Sequence, residues 1–451
     1  MGPIFRLLYL LYRTTTLLRY WVQRRFTPPG QALLGSLAIV APLALDTDNN
    51  VAYQVLCLVV ALLLFALAFG WWFGGRFAIE RTLPRFCTVG SPIRYRVHIR
   101  NLGRQPQSDL TFIEALADLR PSLAEWIAFQ RAEEKRLRRM PIWRRRMRNP
   151  FRLARAHPTE VPVIPPHQSA EVSVELTPLR RGAIRFQTAV LGRSDPLGLF
   201  RALVKLSAPQ TMLVLPRRYF IPAVALPGAM KYQPGGVAMA SSVGQSDEFV
   251  ALRDYRRGDP YRHIHWRSWA KTGTPIVKEY EDEFFVRHAL VLDTFCRDPY
   301  SDAFEEAISV AASFACTVQT QESLLDLLFI GTQAYCLTAG RGLAHADQML
   351  EVLAAVQATL QPDRFRELNE LVLNHARRVS GCILVLLAWD TPRQELVRQL
   401  RQLGTPLLVL VIVEKRDAAR VEPGPMREEP QYFHVLEVEA IAEGLLKLEQ
   451  L

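Results

Sequence analysis

Six cysteines in 451 residues, none of them in a C-x-x-C pair, exclude a disulfide framework and a thiolate zinc site. Cys57, Cys87, Cys296, Cys316, Cys336 and Cys382 are scattered, as isolated thiols of a reducing cytoplasmic compartment are. No G-x-x-x-x-GK-[ST], G-x-S-x-G, H-E-x-x-H or G-x-G-x-x-G run occurs, so familiar nucleotide and hydrolase sites are not announced. Internal repeats of solenoid length are missing too. The most telling absence is of charge. Residues 51–75, VAYQVLCLVVALLLFALAFGWWFGG, contain no ionisable acid or base of the Asp, Glu, Lys or Arg kind. About 20 apolar residues rising ~1.5 Å each cross a hydrocarbon core of ~30 Å, and a helix satisfies all its backbone groups there. A transmembrane helix over about 51–73 is expected.

Residues 26–45 are also uncharged, with Pro28, Pro29 and Pro42 shortening the clean helix to about 31–45. The acidic connector 46–50 is too short for a domain, so 26–75 reads as a hairpin. Arg6, Arg13, Arg19, Arg24 and Arg25 precede it, Arg76, Arg81 and Arg85 follow it, and the connector has no cation. That bias puts both flanks on the cytoplasmic side. Residues 1–25 carry three arginines inside IFRLLYLLYRTTTLLRYWVQ and fit an interfacial amphipathic helix, or a plain surface helix.

Residues 93–99 alternate apolar Ile93, Tyr95, Val97 and Ile99 with Arg94, Arg96 and His98, and Val172, Val174 and Leu176 repeat the pattern. Period two with Pro/Gly turns predicts a β-sandwich-like domain over 76–217. An insertion at 122–157 reads as helix. Within it, residues 131–156 hold 11 Lys/Arg against Glu133 and Glu134. Arg138, Arg139, Trp143, Arg144, Arg145 and Arg146 are candidates for contact with an anionic membrane surface. Nucleic-acid phosphate is the rival ligand and a solvated arm the bland reading. From 286 to 451, apolar runs at 289–292, 382–388 and 407–413 alternate with amphipathic helix, as at Ala307, Val310, Ala311, Phe314 and Val318. That is an α/β domain with a parallel sheet. Residues 301–451 hold 13 Lys/Arg against 21 Asp/Glu, although the whole chain carries +11. A basic half near the anchor and an acidic distal half suit an anionic inner leaflet.

Between these domains, residues 218–285 contain the densest constellation, SDEFVALRDYRRGDPYRHIHWRSWAKTGTPIVKEYEDEF at 246–284. Upstream lie LRRGAIRF, SDPLGLFRALVKL and LVLPR. Together these resemble the bacterial domain of unknown function 58 family, with Glu248, Phe249, Leu252, Arg253, Tyr255, Gly258, Asp259, Arg262, Ile264, Trp266 and Ala270 at matching spacings. His265 stands where that family usually shows Asp. The resemblance implies a downstream domain like von Willebrand factor A, whose active versions hold Mg²⁺ through D-x-S-x-S. Here the stretch is Asp293-Thr294-Phe295-Cys296-Arg297, so only the aspartate matches, and Asp390 is a remnant of a second ligand. No metal and no cofactor are expected.

The expected molecule is a multidomain, membrane-anchored α+β protein. It joins a transmembrane hairpin, a sandwich-like domain with a basic insertion, the signature segment and a von Willebrand factor A-like domain. Arg253, Arg256, Arg257 and Arg262 opposite Asp254, Asp259, Glu248 and Glu279 read either as a clasp or as a docking surface. His263 and His265 would share a face if extended. The hairpin anchor, the acidic distal domain and the lost metal motif point to a non-enzymatic scaffold on the cytoplasmic face of the bacterial inner membrane with inner-membrane lipids as partners, and the resemblance implies a MoxR-type AAA+ ATPase as a further partner. Nucleic acid is not among them, and a homo-oligomer is compatible. The alternative is a metal-dependent binder or enzyme at the membrane surface using residues 246–284.

Overall fold

A computed structural model describes residues 3–44, 50–70, 73–116, 121–138, 151–222, 249–259, 261–280, 287–296, 298–318, 324–339 and 343–450. The chain divides into two compact units. One comprises Met1–Arg217 with Arg297–Ser301 and Leu350–Val356, the other Arg218–Cys296, Asp302–Met349 and Gln357–Leu451.

The first unit opens with three helices, α1 (Pro3–Arg25), α2 (Pro28–Leu43) and α3 (Asn50–Gly70). Leu7, Leu11 and Leu18 form one stripe of α1 with Leu10 and Leu17 beside it, and all five are exposed. Tyr9 and Tyr12 turn inward, where both rings meet Trp126. Among the described residues, one helix, at Val51–Gly70, is long and apolar enough to cross a membrane. α2 has 16 residues, so at ~1.5 Å each it spans about 24 Å, short of a ~30 Å core. The two expected spans, 31–45 and 51–73, therefore become helices at 28–43 and 50–70, only the second of spanning length.

Nine strands follow: β1 (Phe77–Thr82), β2 (Phe86–Thr88), β3 (Ile93–Asn101), β4 (Leu110–Leu116), β5 (Ala154–Ala156), β6 (Thr159–Val161), β7 (Ser169–Pro178), β8 (Gly182–Ser194) and β9 (Arg201–Leu215). They form two sheets, β1-β3-β7-β5 and β2-β9-β8-β4-β6. On β3 the expected faces hold: Tyr95, Val97 and Ile99 are buried and the intervening arginines exposed. They meet Phe112, Phe186, Leu191 and Met212 of the other sheet in one core. A buried ion pair ties the sheets together. Arg81 of β1 reaches Glu114 of β4 with Nη2–Oε1 at 2.7 Å and Nε–Oε2 at 3.1 Å, and the Tyr95 hydroxyl donates to the same carboxylate at 2.7 Å. The insertion is shorter as helix than its charge pattern suggests. α4 (Leu123–Arg138) starts at a capping box in which Ser122 N–H donates to Glu125 at 2.7 Å. Residues 154–156, by contrast, are strand β5 and pair with β7. A helix through 157 is not formed, because these residues complete the sandwich edge.

The second unit contains the hairpin β10 (Phe249–Asp254) and β11 (Ile276–Tyr280), with the short α5 (Trp266–Thr272) between them. Next come β12 (Arg287–Leu292), α6 (Asp302–Val318), β13 (Leu324–Ile330), β14 (Ala334–Ala339), α7 (Leu343–Ala355), α8 (Phe365–Ala376), β15 (Gly381–Leu386), α9 (Thr391–Gln402), β16 (Leu407–Val413) and β17 (Phe433–Glu437). Six strands make one sheet in the order β14-β13-β12-β15-β16-β17, parallel except for the β13–β14 hairpin. The order reverses between β12 and β15, the hallmark of a doubly wound sheet. α8 and α9 cover one face through Leu368, Val372, Leu396 and Leu400. α6 packs on β12, β15 and β16 with Ala307, Val310, Ala311 and Phe314 buried, the helical spacing read from sequence.

Candidate functional site

Three built features concentrate the chemistry. In the first unit, the loop Asp195–Phe200 grips the bases of α2 and α3. Asp195, itself buried, turns the loop back on itself by accepting the N–H groups of Leu197, Leu199 and Phe200 at 3.2, 2.6 and 2.7 Å. The carbonyls so freed meet the start of α2. Thr27 N–H donates to Leu199 O at 3.1 Å, and the Thr27 hydroxyl donates to Gly198 O while capping Gly30 N–H. A Cβ on Gly30 would lie 1.9 Å from Leu199 O, so only glycine permits this approach. The Phe200 ring packs with Phe26, Val59, Leu63 and Ala66, and a Cβ on Gly70 would meet it at 2.8 Å. The Asp195–Phe200 loop is thus the socket of the apolar helices, a role invisible in the sequence because its partners lie about 130–170 residues upstream.

The signature segment closes on itself. Arg253 donates both Nη groups to Asp259 at 2.8 and 2.9 Å, and Asp259 also accepts Arg256 N–H at 2.8 Å. Those bonds hold the Asp259 carboxyl down at about 2. Gly258, at φ +115°, makes the intervening turn. His265 is not in an extended run. It precedes α5 and its Nδ1 lies 2.7 Å from the Ser268 hydroxyl, while His263 ends a single 3₁₀ turn. Arg262 contacts His263 at 3.2 Å. Tyr255 stacks on Tyr261 and Trp266 on Trp269, with Tyr261 and Trp266 largely exposed. Of the expected Arg/Asp clasp the Arg253–Asp259 pair is formed, and Arg256 and Arg257 are exposed. Phe249 starts β10. Arg138 ends α4, and Glu248, Arg139, Trp143, Arg144, Arg145, Arg146 and Arg297 lie outside the described residues.

The third feature lies at the carboxyl end of the α/β sheet. Asp293, which follows β12, is fully buried and accepts Phe295 N–H and Leu387 N–H at 3.0 Å each. Asp390 caps α9. Sequence reading missed the residue joining them: Arg393 donates Nε to Asp293 at 2.6 Å and Nη1 to Asp390 at 2.8 Å. Burial would lower the Arg393 pKa, but the two carboxylates outweigh it and raise it, so the guanidinium stays charged. The D-x-S-x-S ligand set does not form: Thr294 donates its hydroxyl to Ile330 O, and Phe295 packs its ring on Phe365. Elsewhere, Cys336 Sγ lies 3.3 Å from His375 Nε2. Burial pushes that thiol up, so it is not the thiolate a nucleophile needs. Among the described residues, no three His, Cys, Asp or Glu side chains converge as a metal site.

An apolar helix socketed in a two-sheet domain, followed by a doubly wound α/β unit with a stapled hairpin before it, defines the class. Residues 251–438 match the model of the family described as protein of unknown function DUF58. Over those residues the chain is similar to that family. It is 29% identical over 253 residues to the uncharacterized protein YeaD of Bacillus subtilis (strain 168), a match covering 56% of this chain and 61% of that relative. Among solved structures, the CARDB domain of PF1109 from Pyrococcus furiosus aligns at 12% identity and TM-score 0.17, over 31% of this chain and 94% of that one. A PapD-like domain of human CEP192 aligns at 9% identity and TM-score 0.17, over 31% and 84%. Likenesses this slight define no common fold.

Proposed function

We propose that this protein is a membrane-anchored, non-enzymatic scaffold on the cytoplasmic face of a bacterial inner membrane. The observation that carries this reading is α3. Only 17% of its most apolar stretch is buried, which favours a lipid setting over the core of a water-soluble domain. Val51, Tyr53, Leu58, Leu64 and Phe65 are exposed along it, an apolar surface that lipid accepts and water does not. Gly30 and Gly70 meet the same loop, so α2 enters and α3 leaves on one side, which supports a hairpin with both flanks cytoplasmic. The exposed leucines of α1 support an interfacial helix beside it. The strand order of the second unit agrees with a von Willebrand factor A-like domain. A MoxR-type AAA+ ATPase is the partner this family resemblance suggests, with assembly or maturation of other proteins as the task.

Purification of the full-length protein from its own membranes in detergent, with and without ATP, tests the partnership. An AAA+ ATPase should co-purify, and its repeated absence in both conditions sinks that part. Protease added outside intact cells tests the anchor, because digestion of the carboxyl-terminal unit would reverse the assigned topology.

A further inference from the structure

Doubly wound sheets bind ligands in the crevice outside the carboxyl ends of their strands, at the point where strand order reverses. Here that point lies between β12 and β15, and two carboxylates flank it, Asp293 and Asp390. Such oxygens suit a hard divalent cation. Arg393 stands between them. Its Nε is 2.6 Å from Asp293, its Nη1 2.8 Å from Asp390, and its Nη2 3.4 Å from the Phe295 carbonyl oxygen. One side chain therefore meets two carboxylates and a carbonyl, a set of oxygens a metal ion would otherwise take. The guanidinium also lies 4.8 Å from the centre of the Phe365 ring, and Arg393 as a whole is 7% exposed. A bound metal can offer an open coordination position to a partner's carboxylate. This cation has each of its three nitrogens turned inward.

We propose that Arg393 is the resident cation of the switch-point crevice, so that the α/β unit is complete without a divalent ion and engages partners without one. Two pieces of the chain act together. β12 delivers a buried Asp293 that must have a counter-charge, and the first turn of α9 delivers one, with Asp390 fixing its approach three residues earlier. With Arg393 in place, the rest of the crevice offers an ion no further ligand. Asp293 already accepts two backbone N–H groups, the Thr294 hydroxyl is committed to Ile330 O, and the residue two after Asp293 is a phenylalanine packed in the core. This inference is independent of the anchoring reading above.

The test uses the full-length protein in detergent, dialysed against Mn²⁺ and assayed by elemental analysis, with thermal melting in parallel. Wild type should retain no Mn²⁺ above the buffer and melt at one temperature with Mn²⁺ or with EDTA. Arg393→Ser, which removes the charge and opens space, should melt on the order of 10 °C lower, and millimolar Mn²⁺ should restore part of that loss. Arg393→Lys should be indifferent to Mn²⁺ because the charge is kept. Wild-type protein holding one equivalent of Mn²⁺ that Asp293→Asn abolishes overturns the proposal. An Arg393→Ser protein that melts alike with and without Mn²⁺ also overturns it, leaving an ordinary ion pair. Should that variant not fold, the wild-type dialysis decides by itself.

Discussion

Among the described residues, two arginines are buried beside carboxylates, and they are buried differently. Arg81 lies between the sheets of the sandwich, where neither its side chain nor that of Glu114 touches solvent. Arg393 lies at the rim of the α/β sheet, where Asp293 is fully buried but Asp390 remains 43% exposed. The sandwich pair has no second acid to fall back on, only the Tyr95 hydroxyl and the Ala208 carbonyl. The rim cluster has backbone donors on Asp293 and an Asp390 side chain open to solvent. A charge stranded in the first place stays dry, whereas one stranded in the second is partly rescued. Buried ion pairs are thus unequal in what they lose when broken, even at the same hydrogen-bond distance.

Removing Glu114 is the severest way to test that contrast. Glu114→Ala should cost about 4 kcal/mol in a denaturant melt, while Glu114→Leu with Arg81→Met should recover most of it, because the desolvation cost of both charges disappears. Arg393→Ser should cost less, about 3 kcal/mol, since Asp293 keeps two N–H donors. Equal losses at the two sites would break the comparison. Outside both clusters, Gly258→Ala forces a side chain into φ +115° and should cost about 1–2 kcal/mol, read as faster amide exchange in β10 and β11.

His288, next to Arg287 on β12, supplies a pH test. Its Nδ1 is buried with no protein partner, and burial lowers its pKa below 6.5. The folded state then binds the proton less readily than the unfolded chain, so stability is full above pH 6.5 and declines as pH falls below it. His288→Leu should flatten that decline in a melt series, and an unchanged slope would discount it. Asp259 acts in a lower window. With a carboxyl held at about 2 against an ordinary 3.8, its contribution persists above about pH 4 and is lost on acidification toward 2. Asp259→Asn should have the smallest effect, a local gain in exchange at Arg256 N–H without a shift in the global melt.

Legibility in the sequence followed the range of the interactions. The faces of β3, the apolar strands β12, β15 and β16 and the buried stripe of α6 were all readable, since periodicity is a local property. Strands β13, β14 and β17 were not assigned, and the insertion was read as helix through residues that pair as β5. Charge composition says nothing about a three-residue strand at a sheet edge. The least legible residue was Arg393. Three positions after Asp390 on a polar helix, it reads as a solvated pair, and only the end of β12, 100 residues earlier in the chain, makes it buried. Glycines behaved likewise: Gly30 in an apolar run gives no hint that a backbone carbonyl will press on it.

The socket at Asp195–Phe200 has a mechanical corollary. Thr27 is bonded to the loop on one helix base and Gly70 sits against Phe200 on the other, so neither helix has slack where it meets the sandwich. On the anchoring proposed above, a bilayer thinner or thicker than α3 prefers would tilt that helix, and the two sheets would be carried round with it as one lever.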